Sequence, residues 1–236
     1  MKLVRHTLSV GPWRVETFVN GRFRQNCHLV IHETARRAVV IDPGGEADAI
    51  AAVIEQETEG LDAILLTHGH FDHVGGVDAL AERFNLRARA HVGDKTLVRQ
   101  ASIYASRLSK QSMRPPVKID YFDDAPEMTL AGEAWKTHLT PGHTNGCVCF
   151  ETRNLLFVGD VVFFKSIPPA TYPGSDGEQI RRAITSVLAA ADPSCMIFSG
   201  HGRAWTVAAA GEWWNGLTEP PPAMDVFGAR KEAGIE

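Results

Sequence analysis

Four metal-ligand side chains fall within positions 68–73 of Thr67-His68-Gly69-His70-Phe71-Asp72-His73, directly after the apolar run Ile64-Leu65-Leu66. Imidazole and carboxylate are preferred ligands of zinc and its first-row neighbours. In an extended segment His68 and His70 point to one face; Asp72 would keep that parity and His73 breaks it. All four can serve one site only if the chain turns near position 71. The pattern therefore predicts a strand that ends at the His68–His70 pair and feeds a helix starting near Asp72. Such a turn gives the His pair to one metal and the Asp72–His73 pair to a neighbour about 3.5–4 Å away, the usual spacing of two-metal hydrolytic sites.

Three further ligand types share one local context. His143 follows the strand ending at Leu139 through Thr140-Pro141-Gly142. Asp160 follows Leu155-Leu156-Phe157-Val158-Gly159, and His201 follows Met196-Ile197-Phe198-Ser199-Gly200. Each lies just past the C-terminal end of an expected buried strand and next to a glycine, and strand ends are where ligands and chemistry gather in α/β sheets. His6, His28, His32, His91 and His138 are not in this setting and read as surface or satisfied core residues. Cys147 and Cys149, two apart on an expected strand, read as buried core thiols.

The remaining sequence alternates strands and helices. Strands are expected near 15–19, 27–31, 38–41, 63–67, 86–92, 135–139, 147–151, 155–158 and 196–198. Helices are expected near 47–57, 77–84, 94–108, 176–189 and 204–217, with Asp176 as an N-cap. Two halves of this kind imply an α/β chain, a four-layer αββα sandwich of two mixed β-sheets flanked by helices. No Gly/Ser-rich linker divides the 236 residues, so residues 1–218 are expected to form a single domain. Residues 219–236, opening on Pro220-Pro221-Pro222, are expected to be an extended, weakly ordered tail.

A net charge of -4 gives no basic footprint for nucleic acid. No apolar run reaches the length needed to span a membrane, and no secretory signal pattern opens the chain. Four sparse cysteines fit a reduced, cytoplasmic protein. A homo-oligomer is compatible with the sequence and not specified by it.

The ordered set His-x-His-x-Asp-His, Pro-Gly-His-Thr, Gly-Asp and Gly-His-Gly resembles the metallo-β-lactamase superfamily. Asn26-Cys27 and Ile41-Asp42-Pro43-Gly44 are similar to its N-terminal half, so the likeness runs from about Asn26 to Trp205. Within it, Pro141-Gly142-His143-Thr144-Asn145-Gly146 most resembles the glyoxalase II-like thioesterase branch. The resemblance implies that His68, His70 and His143 bind a first metal, that Asp72, His73 and His201 bind a second, and that Asp160 bridges them. Asp72 and Asp160 are then the catalytic carboxylates. The implied activity is hydrolysis of a small thioester or ester by a metal-bound hydroxide, with two Zn2+ per chain and a small-molecule acyl substrate. The persulfide dioxygenases look similar but use one Fe2+, held by residues matching His68, His143 and Asp160. Mixed Zn/Fe/Mn occupancy and the lactonase, lactamase and phosphodiesterase branches also share the ligand set.

The likeness weakens after Asp160. Glyoxalase II-like relatives carry a Gly-Arg-Thr-Asp-like run before the Pro-Gly that here is Pro173-Gly174, whereas this chain has Pro168-Pro169-Ala170-Thr171. The extended C-terminal region that completes the glutathione pocket in full-length glyoxalase II is also not evident. Lys165 and Tyr172 are the local candidates to hold the acyl end of the substrate.

Overall fold

Strands fill the expected apolar runs and gather into two mixed sheets in a computed structural model that describes residues 4–110 and 112–224. Among these residues the first sheet contains β1 (Val4–Val10), β2 (Trp13–Asn20), β3 (Gln25–His32), β4 (Arg37–Ile41), β5 (Gly60–Leu65), β6 (Ala88–His91) and β7 (Ile119–Phe122), side by side in that order. It is antiparallel from β1 to β4 and parallel from β4 to β7. The second sheet contains β8 (Met128–Leu130), β9 (Glu133–Leu139), β10 (Val148–Thr152), β11 (Leu155–Gly159), β12 (Met196–Ser199) and β13 (Trp205–Thr206), ordered β13-β12-β11-β10-β9-β8. Only its β11–β12 pair is parallel among the described pairings.

Strand alternation sorts the apolar side chains into layers. Along β4, Ala38 and Val40 join one buried cluster and Val39 and Ile41 another, because successive strand residues point to opposite faces. The Val39–Ile41 face meets Trp135, Phe150, Phe157 and Phe198 of the second sheet, forming the layer between the sheets. There Trp13 meets Trp135 edge to face at 5.7 Å, and Phe157 stacks on Phe198 at 5.1 Å. The opposite face of the first sheet packs on Ile50 and Ile54 of α1 (Ala47–Glu57). Short α2 (Phe71–Val74) and α3 (Val77–Arg83) follow β5, and Val77 and Leu80 join the same outer layer. On the far side, Leu156, Val158 and Ile197 pack on Ile184 and Val187 of one later helix and Ala210 of another. The four-layer αββα arrangement is the expected one. Burial of each such Leu, Ile or Val contributes about 1.5–3 kcal/mol.

The segment expected as one helix over 94–108 is three pieces: α4 (Lys95–Arg99), α5 (Ala101–Tyr104) and a π-helical turn over Ala105–Ser109. Gln100, at φ -91 and ψ 0, separates the first two. Asp94 does not cap the helix; its carboxylate is drawn into the site described below. The second half keeps closer to expectation. Helix α6 (Gly177–Ala190) starts on Asp176, whose side chain accepts from the backbone N–H of Glu178 and Gln179, a cap contributing about 1 kcal/mol. Helix α7 (Val207–Asn215) is shorter than expected because Trp205 and Thr206 extend the second sheet as β13.

The segment expected as a tail makes two backbone hydrogen bonds to Ile167. Ile167 donates its N–H to the Pro222 carbonyl at 3.0 Å, and Met224 donates to the Ile167 carbonyl at 2.8 Å. Residues 225–236 lie outside the described residues. No helix among the described residues is long and apolar enough to cross a membrane.

Candidate metal centre

Parallel pairing brings the strand ends together. β4 lies beside β5, so Asp42 and Thr67-His68 emerge as neighbours; β11 lies beside β12, so Asp160 and His201 do the same. The chain turns at Phe71, where α2 begins with His70 still extended at φ -66 and ψ 147. This is the strand-to-helix turn that the parity of the His cluster requires.

The expected ligand residues converge in two groups. His68, His70, His143 and Asp160 have ligand atoms within 4.8 Å of one another, as do Asp72, His73 and His201. In the first group, His70 Nδ1 lies 3.1 Å from His68 Nε2 and 3.0 Å from His143 Nε2. In the second, His201 Nε2 lies 3.6 Å from Asp72 Oδ2 and His73 Nε2 lies 4.0 Å from it. Asp160 faces both groups: Oδ2 is 3.5 Å from His143 Nε2 and 3.6 Å from His201 Nε2, while Oδ1 is 3.6 Å from His73 Nε2.

The chemistry of this cluster fits metal ions. Both Asp72 carboxylate oxygens, His73 Nε2, His201 Nε2 and Asp160 Oδ1 are buried without a hydrogen-bond partner. Leaving buried polar atoms unpaired costs about 1–3 kcal/mol each, and here they all point into one space. Burial and the nearby His73 hold His70 and His201 down at about 3, so these imidazoles are neutral and keep a lone pair. Burial likewise lowers His68 and His143 well below the usual histidine range, with neighbouring imidazoles adding to it. Burial pushes the Asp160 carboxyl up to about 7, against the pull of His73 and with the push of Asp72 and Asp42. At His73 burial alone would favour the neutral ring, but Asp160, Asp72 and Asp42 outweigh it and raise it to about 9. Among the protein groups alone, the charged form of His73 is favoured by Asp160, Asp72 and Asp42 together. Cations would supply the missing positive charge and the missing partners together.

Two buried aspartates that the sequence reading did not assign to the site hold its ligands in place. Asp42 accepts from the Thr67 N–H at 2.7 Å and from His73 Nδ1 at 3.0 Å, which turns His73 Nε2 toward Asp160. It sits at φ 51, immediately past an apolar strand. The strand-end rule that identifies Asp160 therefore applies to Asp42 as well. Asp94 accepts from the N–H of Gly69, the hydroxyl of Thr144 and the N–H of Gly146, each at 2.7 Å. It ties the loop carrying His68 and His70 to the loop carrying His143. No local pattern marks Asp94, because its role exists only once these two loops meet. His201 is oriented by Nδ1 donation to the Phe23 carbonyl at 3.1 Å. Such outer hydrogen bonds fix the tautomer and aim of a ligating ring.

Close approach explains the glycine beside His201. A Cβ on Gly200 would lie 2.1 Å from Asp160 Oδ1 and 2.6 Å from His73 Cε1, so only glycine leaves room for the carboxylate.

The two expected substrate residues separate. The Tyr172 ring stands 5.9 Å from the His70 ring and 6.1 Å from that of His143, both edge to face, so it covers one side of the cluster. Lys165 is exposed, and its Nζ lies 5.8 Å from the centre of the Phe164 ring. Phe164 in turn packs on Trp205 and Arg203. Lys165 is thus placed against a different group of side chains, whereas Phe163 stands 5.7 Å from His201. Two of the histidines not expected to be ligands have other partners. His28 contacts the Thr17 hydroxyl and the Ser199 carbonyl, and His138 contacts Glu151. Cys27, Cys147, Cys149 and Cys195 are all buried and free.

A model of the metallo-beta-lactamase superfamily matches residues 20–201 of the chain. The hydroxyacylglutathione hydrolase GloC of Haemophilus influenzae is 32% identical over 189 residues, spanning 78% of this chain and 89% of that protein. Among solved structures, the BLEG-1 B3 metallo-beta-lactamase superposes with a TM-score of 0.76 at 28% identity, over 82% of this chain and 94% of its own. TTHA1623, crystallised in a di-iron-bound form, superposes with a TM-score of 0.71 at 30% identity, over 82% and 95%.

Proposed function

Because the chain belongs to the metallo-β-lactamase superfamily, we propose that it is a binuclear metal-dependent hydrolase cleaving small thioesters or esters. The observation that carries this reading is the placement of Asp160 between the two ligand groups, facing His143 and His201 through Oδ2 and His73 through Oδ1. His68, His70 and His143 would hold one ion, and Asp72, His73 and His201 the other. Zinc is the proposed occupant; the di-iron form of TTHA1623 supports iron as the alternative. When bound, such ions acidify water and polarise a carbonyl.

The protein's own groups supply the rest. Asp72 has two unpaired oxygens: one serves the His73–His201 group, and the other accepts a hydrogen bond from the attacking water and orients it. Tyr172 and Phe163 flank the cluster and limit access of bulk water. Asp42 and Asp94 keep the imidazoles aimed, so little reorganisation is needed as charge develops. Cysteine does not serve as the nucleophile in this scheme. Burial holds Cys149 up at about 12 and pushes Cys27 and Cys147 well above the usual thiol range, so thiolate is scarce at neutral pH.

Thioesters are favoured over other acyl substrates by the likeness to GloC. The loop after Asp160 lacks the relatives' Arg and Asp, and Lys165 is turned to Phe164, so the carrier thiol has few dedicated anchors. S-lactoylglutathione and the lactoyl thioester of a simple thiol should therefore both be hydrolysed. Their kcat/KM values should differ by less than about a hundredfold, or roughly 2.7 kcal/mol. A larger preference for glutathione would require an anchoring pocket and overturn the carrier-independent reading. No hydrolysis of either, with oxygen uptake on glutathione persulfide, would replace the hydrolase with an iron dioxygenase.

A further inference from the structure

Resting on the thioesterase reading, we infer that the substrate carries a short apolar acyl group, seated beside His70 in a slot whose depth is set by Leu97, Tyr104 and Leu108. Two recesses each include one expected ligand residue in their walls, Asp72 in one and His70 in the other, and Phe71 lines both. The one at Asp72 has a volume of about 470 Å³ and includes Asn20, Arg22 and Glu46 in its walls. The one at His70 has a volume of only about 20 Å³; Leu97, Tyr104 and Leu108 line it together with Tyr172 and Pro173. A space of that size holds about one water or one methyl group.

A thioester has two arms extending from the carbonyl carbon. Biological thiol carriers are large and polar, so they match the wide recess at Asp72. The narrow recess is left for the acyl arm. Among the described residues its walls carry no Lys, Arg, Asp or Glu, so a charged acyl terminus would be desolvated there without a counter-charge from them.

The local backbone gives this wall its shape. Val98, Ala101 and Ala105 are buried, whereas Leu97, Tyr104 and Leu108 are half-buried, leaving part of each side chain to line the slot. The break at Gln100 and the π-turn over Ala105–Ser109 replace the continuous helix expected there. The Ser109 hydroxyl donates to the Ala105 carbonyl at 2.6 Å across the turn, and Lys110 ends it at φ 61. A π-turn shifts the residues after it out of α-helical register and often marks a functional site. Here it lies where Leu108 enters the wall. Methylenes beyond the first one or two exceed this volume and press on these half-buried side chains.

The test is an acyl series on one carrier, N-acetylcysteamine, using acetyl, propionyl, butyryl, hexanoyl and succinyl thioesters with the metal-loaded protein. Expected is a fall in kcat/KM of at least about tenfold from propionyl to hexanoyl, with succinyl equally poor. Leu97→Ala and, separately, Leu108→Ala should each raise the hexanoyl-to-acetyl ratio by about tenfold or more. Leu97 lies outside the buried clusters, so its variant should fold even if Leu108→Ala does not. Binding of ketone analogues, in which CH2 replaces the thioester sulfur, is followed in parallel by calorimetry and should show the same order without turnover. A flat chain-length profile, a preference for succinyl, or a ratio unmoved in folded Leu97→Ala protein would overturn the slot. If no thioester is turned over, the thioesterase reading fails by itself. The ketone series then decides the slot: tighter binding of the short analogues upholds it, and equal or absent binding overturns it.

Discussion

Asp160→Ala is expected to lower kcat/KM on a thioester by more than about a thousandfold, roughly 4 kcal/mol of transition-state stabilisation. It should also abolish the thermal stabilisation that metal gives the wild type. Both effects follow from one placement: the carboxylate faces His143 and His201 through one oxygen and His73 through the other. Removing it takes a negatively charged ligand from both groups at once and leaves mainly neutral imidazoles to hold the ions. A ligand that binds only the folded state adds its binding free energy to stability, so the metal-dependent rise in Tm is the second readout. It separates lost metal from lost chemistry. A folded variant that retains two ions and near-normal activity would remove Asp160 from the bridging position.

The second large effect is expected for Asp72→Asn, with kcat/KM reduced by about a hundredfold or more while the fold is retained. Asn keeps the size of Asp72 but loses its charge. The buried carboxyl has two unpaired oxygens beside His73 and His201, so the substitution strikes both the ligand group and the orientation of the attacking water. Its neighbours in the core are untouched, and the far-ultraviolet circular dichroism should match that of the wild type. Wild-type rates between about pH 6 and 9 on a thioester would exclude a direct role for Asp72.

The features legible in the sequence were those with a local cause. The apolar runs before His68, Asp160 and His201 had to be buried strands, and the parity break at His73 required a turn. The parity break corresponds to the strand-to-helix turn at Phe71. Helix α1 and the Asp176 cap were visible because periodicity and capping act over a few residues. What escaped depends on contacts between distant segments. Asp94 gains its role only when the Gly69 and Gly146 loops meet across the two halves of the chain. The helix after Asp94 was expected to be continuous because its apolar spacing is helical, but the break at Gln100 and the π-turn shape it against the loop carrying Tyr172. Lys165 and Tyr172 are seven positions apart in one loop, and no sequence rule separates the side chain that covers the cluster from the one that turns to Phe164.

A hydrolytic pair of ions would be bridged by Asp160, and the decisive experiment is metal analysis of protein expressed without added metal, paired with thioester turnover on the same samples. Expected are about two ions per chain, predominantly zinc, with activity that disappears on chelation and returns as the second equivalent is restored. One iron per chain, no thioester hydrolysis at any loading and oxygen consumption on a persulfide would contradict it.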